Sequence, residues 1–83
     1  MSVRKLSDLK EGQKAIIKEI GDIGELKQRL YELGIICKEP LEIVRVAPFG
    51  DPIQIRVENN NIAIRKEEAK KILVENLSAR KKI

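Results

Sequence analysis

The chain has 83 residues, which is room for one small domain whose core must use almost every apolar residue in its periodic segments. Of its 17 basic residues, three lie at the extreme end, and the remaining 14 basic and 13 acidic residues leave the body nearly neutral. This balance argues against a nucleic-acid-binding protein, which concentrates basic residues on one face.

The cysteine count and the hydropathy of the chain indicate where in the cell the protein is expected. A single cysteine and no histidine exclude an internal disulfide and the Cys/His sets that hold zinc. The longest run without a charge is Asn59 to Ile64, whereas a spanning helix needs about 20 apolar residues. We therefore expect a cytoplasmic protein that does not insert into a membrane, with one domain over residues 1–76 and a disordered basic tail over 77–83.

The first predicted elements are a short turn and a strand. Leu6 and Leu9 flank a polar pair, a pattern typical of a turn that buries two leucines before Gly12 reverses the chain. The segment from Lys14 to Ile20 carries apolar residues on both faces. It predicts a strand that is covered on both sides or bent, as in a barrel.

A helix is predicted to follow. Asp22 lies three positions before Glu25, which is the spacing of a helix capping box. One apolar stripe is formed by Leu26, Leu30 and Leu33. Gly34 suits the left-handed position that ends many helices, and Ile35 or Ile36 is then expected to pack back on the last turn.

The central stretch predicts a β-hairpin with arms at Leu41–Ala47 and Ile53–Glu58. The second arm alternates strictly between apolar and polar residues, which indicates one buried face. In the first arm, apolar residues lie on both faces, at Leu41, Ile43, Val44 and Val46. Either a bulge near Ile43 and Val44 buries all four, or Val44 and Val46 form an exposed apolar strip.

The last third predicts a second hairpin and a closing strand. Three asparagines, 59–61, tolerate left-handed conformations, and Ile62–Arg65 resumes the alternation. Lys66–Lys71 predicts one or two helical turns, and Ile72–Val74 a short final strand.

Short motifs along the chain occur in a characteristic order. They are Leu-x-x-Leu-x-x-Gly at Leu6–Gly12, the helix end Arg29–Ile35, the turn Ala47–Pro52, and Ile62–Arg65 leading to Glu68-Ala69. From Leu6 to Val74 the sequence thereby resembles the FeoA family of ferrous-iron transport accessory proteins. One departure is Cys37-Lys38 where the family usually has Pro-Gly, so the turn before the central hairpin is expected to differ in shape.

The resemblance implies a mainly β fold: a small SH3-like β-barrel with an α-helix inserted after the first strand and a short helical turn before the last strand. It also implies no catalysis and action on FeoB, the membrane protein that carries a GTP-binding domain and moves ferrous iron. Expected partner-binding residues are those of the hairpin tip and two arginines that follow the family pattern, namely Phe49, Gly50, Asp51, Arg29 and Arg65.

Alternatives remain for each of these residues. Phe49 either folds back over the barrel mouth or anchors a partner. Asp51 is either a turn residue or an acceptor for a partner's hydrogen bonds. The stems of Arg29 and Arg65 can also simply cover apolar surface. Cys37 is expected to be a small apolar residue rather than a redox or metal thiolate.

Catalysis, a cofactor and a metal site are not expected, since no nucleophile and base combination or ligand spacing suggests one. Two other functions stay open. One is an SH3-like regulatory module related to the C-terminal domain of iron-dependent DtxR-type repressors. The other is an RNA-binding barrel, which predicts a basic face and a steep salt dependence. A weak homo-oligomer is also compatible with the sequence.

Overall fold

The computed structural model describes residues 3–35 and 38–77. Six strands form one antiparallel sheet: β1 (Val3–Lys5), β2 (Lys14–Ile20), β3 (Pro40–Val46), β4 (Ile53–Val57), β5 (Asn60–Ile64) and β6 (Ile72–Asn76). Two helices, α1 (Glu25–Glu32) and α2 (Lys66–Ala69), and a 3₁₀ turn at Leu6–Asp8 complete the fold. The order across the sheet is β1-β6-β2-β3-β4-β5.

The mainly β architecture and both helices agree with the sequence, but β1 was not predicted. Helix α1 was expected after the first strand and follows the second, because β1 precedes it. Strand β1 pairs with β6 through Val3 and Glu75, Arg4 and Val74, and Lys5 and Leu73. All three β1 residues are exposed, so they show no apolar alternation that a sequence pattern could reveal.

The core is aliphatic and lies on one face of the sheet. Strands β2 to β6, both helices and the 3₁₀ turn all contribute to it. Its most deeply buried large side chains are Leu6, Ile17, Leu30, Ile35, Ile43, Ile53, Ile55, Ile64, Ile72, Val57 and Val74. Because β-branched side chains pack well on a pleated surface, this composition suits a small curved sheet.

Two bulges let the sheet bend around that core. The β2–β6 register shifts between Ile17 and Glu19, so that Ile17 and Ile20 both point inward although they are an odd number of residues apart. The β3–β4 register shifts between Ile43 and Arg45, which confirms the predicted bulge. Val46 then packs against the core but is only partly buried, and Val44 stays 40% exposed, so the bulge does not bury all four apolar residues.

Helix α1 begins differently from the prediction. Its N-cap is Gly24 with φ 65°, and no side chain caps it, so the expected capping box of Asp22 and Glu25 is wrong. The Gly24 carbonyl instead accepts a hydrogen bond from the Lys27 N–H at 3.1 Å. Glycine reaches this backbone conformation without a steric penalty, which is why the helix starts here.

The end of α1 follows the predicted glycine. Gly34 has φ 82°, the Gly34 N–H donates to the Tyr31 carbonyl, and the Ile35 N–H donates to the Leu30 carbonyl at 2.8 Å. This pair of bonds is a Schellman motif, and it turns Ile35 into the core. Leu33 was expected in the buried stripe but is 44% exposed, because it stands at the C-cap, where the chain leaves the helix.

Two residues with side chains occupy left-handed turn positions. In the second hairpin the positive φ falls on Glu58 (φ 56°), before the asparagines that were predicted to supply it. Before the central hairpin, Lys38 has φ 76°, and its N–H donates to the Ile17 carbonyl at 2.6 Å. Lys38 thus takes a glycine-like conformation at the position where the family usually has glycine. Cys37 lies outside the described residues, as does the predicted tail beyond Leu77.

Candidate protein-docking surface

The tip of the central hairpin is held by backbone hydrogen bonds. The Ala47 N–H donates to the Pro52 carbonyl at 3.1 Å, and the Gly50 N–H donates to the Ala47 carbonyl at 2.7 Å. Gly50 has φ 81°, which only glycine adopts freely, and the Asp51–Pro52 peptide bond is cis. The tip is therefore a closed turn with its own hydrogen-bond pattern.

Asp51 ties this tip to α2. Its Oδ1 accepts a hydrogen bond from the Lys66 N–H at 3.0 Å, and the Glu68 Oε1 accepts one from the Arg65 N–H at 2.9 Å. The N-cap residue of α2 is Arg65, whose guanidinium has no acceptor and cannot cap a helix. Asp51 takes over that task across 15 positions of sequence, so the structure gives it the role of a turn and capping residue.

Phe49 projects from the tip into solvent. It is 93% exposed, compared with 56% for Val3, the next large apolar residue among those described. The expectation that Phe49 folds back over the barrel mouth is therefore wrong. Since burying a phenylalanine contributes about 1.5–3 kcal/mol, Phe49 offers that contribution to whatever covers it.

Arg29 and Arg65, far apart in sequence, line the same groove. The groove has a volume of about 470 Å³, and its other lining residues are Ile23, Glu25, Leu26, Ala63 and Glu68. Among the described residues, salt bridges join Lys18 to Glu75 and Arg56 to Glu42, and neither groove guanidinium has a partner. The structure thus brings two unpaired arginines together beside β5.

A second, smaller hollow lies beside the hairpin tip. It has a volume of about 230 Å³ and is lined by Arg45, Ala47, Pro52 and Gln54. Arg45 and Gln54 face each other across β3 and β4. Sequence reasoning missed both residues, because the hollow forms only where the hairpin tip and the two strands come together.

Neither metal ligation nor a membrane span is found in the part of the chain that the structure describes. Within residues 3–35 and 38–77, no three acidic or cysteine side chains cluster closely enough to hold a metal ion. In the same ranges, no helix combines the length and the apolar character that crossing a bilayer demands.

The family follows from a comparison with known domains. A model of the FeoA domain matches residues 4–76. The chain belongs to the FeoA family. FeoA domains take part in ferrous-iron transport, and one relative is a Fe(2+) transport protein A/Fe(2+) transporter FeoB fusion protein of Porphyromonas gingivalis. It is 33% identical over 75 residues, and the match covers 90% of this chain but 9% of the fusion protein.

Solved FeoA structures share the fold. The solution structure of FeoA from Chlorobium tepidum has a TM-score of 0.83 and 32% identity, and the match covers 93% of this chain and 73% of that one. Zinc-complexed FeoA from Stenotrophomonas maltophilia has a TM-score of 0.71 and 30% identity, with 84% of this chain and 87% of that chain covered. That protein is described as a prokaryotic SH3 domain, so the predicted SH3-like fold is confirmed.

The same fold occurs in a manganese-dependent transcriptional repressor, with a TM-score of 0.77 and 18% identity, and the match covers 90% of this chain and 42% of that chain. IdeR of T. acidophilum also matches, with a TM-score of 0.77 and 21% identity, and the match covers 92% of this chain and 35% of that chain. At this identity the likeness concerns the fold alone.

Proposed function

We propose that this FeoA protein is a cytosolic accessory protein of ferrous-iron uptake that binds the cytosolic part of a FeoB-type transporter. Two observations support the choice of partner. The Porphyromonas gingivalis relative joins a FeoA domain and FeoB in one chain, and the Stenotrophomonas maltophilia FeoA is described as a candidate ferrous-iron transport activating factor. In this proposal the output of the domain is recognition rather than catalysis, and it needs no cofactor.

The observation that carries the proposal is the exposure of Phe49. A large aromatic side chain that is 93% exposed buries almost no surface in its own domain. At interfaces, a few aromatic anchors that fill a partner's pocket supply most of the binding free energy. Phe49 also stands on a turn closed by hydrogen bonds, so less conformational entropy is lost when a partner binds it.

The remaining tip residues support Phe49 in different ways. Gly50 allows the turn its positive φ, and Asp51 fixes the turn to α2. We propose that these two residues present the anchor, while Phe49 makes the central apolar contact. Arg29 and Arg65 belong to the neighbouring groove and form a separate part of the docking surface.

Replacement of Phe49 tests the proposal. We expect Phe49→Ala to weaken binding to the purified cytosolic GTP-binding domain of the same organism's FeoB-type transporter by about tenfold or more. Isothermal titration calorimetry measures the change. Tyr31→Ala is the matched control, because Tyr31 is also an exposed aromatic, at 49%, but lies on α1.

The two variants separate the possible outcomes. Undiminished binding by Phe49→Ala shows that the tip is not the contact. A failure of the wild-type protein to bind the transporter domain removes the proposed partner itself. Urea unfolding of both variants confirms that they are folded, as expected for substitutions of exposed side chains.

A further inference from the structure

Strand β5 has an open edge. It lies last in the sheet order, and no described strand pairs with its outer side. An open edge presents a row of backbone N–H and C=O groups that can pair with an added strand. The question is which groups of β5 point outward.

The register of the two hairpins answers it. The Ala47 N–H donates to the Pro52 carbonyl, so the next pair, Val46 and Ile53, does not exchange hydrogen bonds. The backbone groups of Ile53 therefore point to β5, where Ile53 pairs with Ile64.

Because the direction of the backbone groups alternates along a strand, the directions for the other residues of β5 follow. Ile62 and Ile64 direct their backbone groups toward β4, and the backbone groups of Asn61 and Ala63 point away from the sheet. Both residues are also exposed, so their outward N–H and C=O groups are accessible.

The outer edge is closed at one end and open along the rest. Arg65 continues the outward series, and its N–H is already bonded to the Glu68 carboxylate at 2.9 Å. Ala63 lines the groove that contains Arg29 and Arg65. The open part of the edge thus runs directly into the arginine-lined groove.

The charges in that groove favour a carboxylate. Glu68 is engaged by the Arg65 N–H, and Glu25 lies in the first turn of α1, where the helix amides favour a negative charge. The guanidiniums of Arg29 and Arg65 have no such partner among the described residues, and guanidinium donors match a carboxylate in two parallel hydrogen bonds.

We propose that the outer edge of β5 binds an extended segment of the protein partner, whose backbone pairs with Asn61 and Ala63. An acidic side chain of that segment binds Arg29 and Arg65. The inference rests on the proposed function, since the partner is the cytosolic part of the FeoB-type transporter. It adds a second contact of different chemistry to the apolar contact at Phe49.

Amide hydrogen exchange measured by NMR tests the backbone pairing residue by residue. In the free protein we expect fast exchange at Asn61 and Ala63 and slow exchange at Ile62 and Ile64, whose N–H groups bond to β4. Saturation with the transporter's cytosolic GTP-binding domain should slow exchange at Asn61 and Ala63 by at least about tenfold. Fast exchange at both amides in the complex overturns the inference.

Substitutions test the same pairing by affinity. Ala63→Pro removes an outward N–H and no bond within the sheet, so it should weaken binding by about tenfold while the protein stays folded. Ala63→Ser keeps the N–H and should bind like the wild type. Equal binding by the proline and serine variants contradicts the pairing.

The acidic contact has its own variant. Arg29→Gln with Arg65→Gln should weaken binding by about tenfold and reduce its salt dependence. Arg4→Gln with Lys5→Gln, both on the exposed strand β1, removes the same net charge and is the control, and an equal effect of the two double variants overturns the acidic contact.

The outcomes also separate this inference from the proposed function. If the transporter domain does not bind the wild type, both fail. If it binds and Phe49→Ala weakens the complex while the edge amides stay exposed, the inference alone fails. If the edge amides become protected when the isolated chain is concentrated, a second copy occupies the edge and the inference is again overturned.

Discussion

Lys38 is a residue with a side chain in a backbone conformation that favours glycine. It has φ 76°, in the region that side chains rarely enter, and its N–H is bonded to the Ile17 carbonyl, which holds the turn against β2. A residue with a Cβ pays about 1–2 kcal/mol in this region, and glycine does not. Lys38 therefore carries a local strain that the surrounding hydrogen bonds offset.

Lys38→Gly should stabilise the domain. Relief of the strain outweighs the larger entropy of glycine in the unfolded chain, and we expect a net gain of roughly 0.5–1 kcal/mol. Lys70→Gly is the opposite case, since Lys70 has φ −67° and the substitution there should destabilise. Urea unfolding shows whether the free energy of unfolding rises or falls in each variant. A loss of stability in Lys38→Gly contradicts this account.

Helix α2 illustrates stabilisation by a distant element. It has one turn, and its N-cap side chain cannot accept a hydrogen bond, so Asp51 and Glu68 satisfy its first amides. A helix this short is not stable alone. It forms because Ala69 is buried and because the hairpin tip supplies an acceptor.

Asp51→Ala should lower the free energy of unfolding by about 1 kcal/mol, the usual value of a lost helix cap. Asp22→Ala should cost no more than a few tenths of a kcal/mol, because no side chain caps α1. Equal effects of the two variants in urea unfolding would falsify the assignment of Asp51 as the cap. Faster amide exchange at Lys66 in Asp51→Ala is expected alongside.

Local patterns and long-range contacts differ in what sequence can predict. The strict alternation of β4, the glycine that ends α1 and the bulge in β3 depend on neighbouring residues, and these were predicted. The acceptor at Asp51 and the exposure of Leu33 depend on where other segments lie. The arginine groove likewise forms only when α1 and β5 come together, so the sequence could suggest its two arginines and not their proximity.

At the scale of the whole molecule, β1 joins the beginning of the described chain to its end. Its partner β6 lies between β1 and β2, so two strands remote in sequence complete one side of the sheet. The side chains of β1 are exposed, so β1 contributes through its backbone, which pairs with β6 at three positions. Without β1, strand β6 becomes an open edge next to buried Val74.

Deletion of residues 1–5 should lower the free energy of unfolding by about 1 kcal/mol. Because 1 kcal/mol corresponds to about 4–8 °C in a domain of this size, the thermal midpoint should fall by roughly 5–10 °C. The newly exposed edge should also promote self-association. Circular dichroism gives the midpoint and size-exclusion chromatography the association state. An unchanged midpoint means that β1 contributes nothing to stability.

The hydrogen bond between Asp51 and Lys66 has a consequence for ligand binding. It links the loop that carries Phe49 to the residue that follows Arg65, so this hydrogen bond connects the two proposed contacts. We expect the contact that forms first to immobilise both the hairpin tip and the start of α2, so that the second contact forms at a smaller entropic cost. We therefore expect positive cooperativity between the two proposed contacts, so that a partner that offers both an apolar pocket and an acidic strand gains more than the sum of two partners that offer one each.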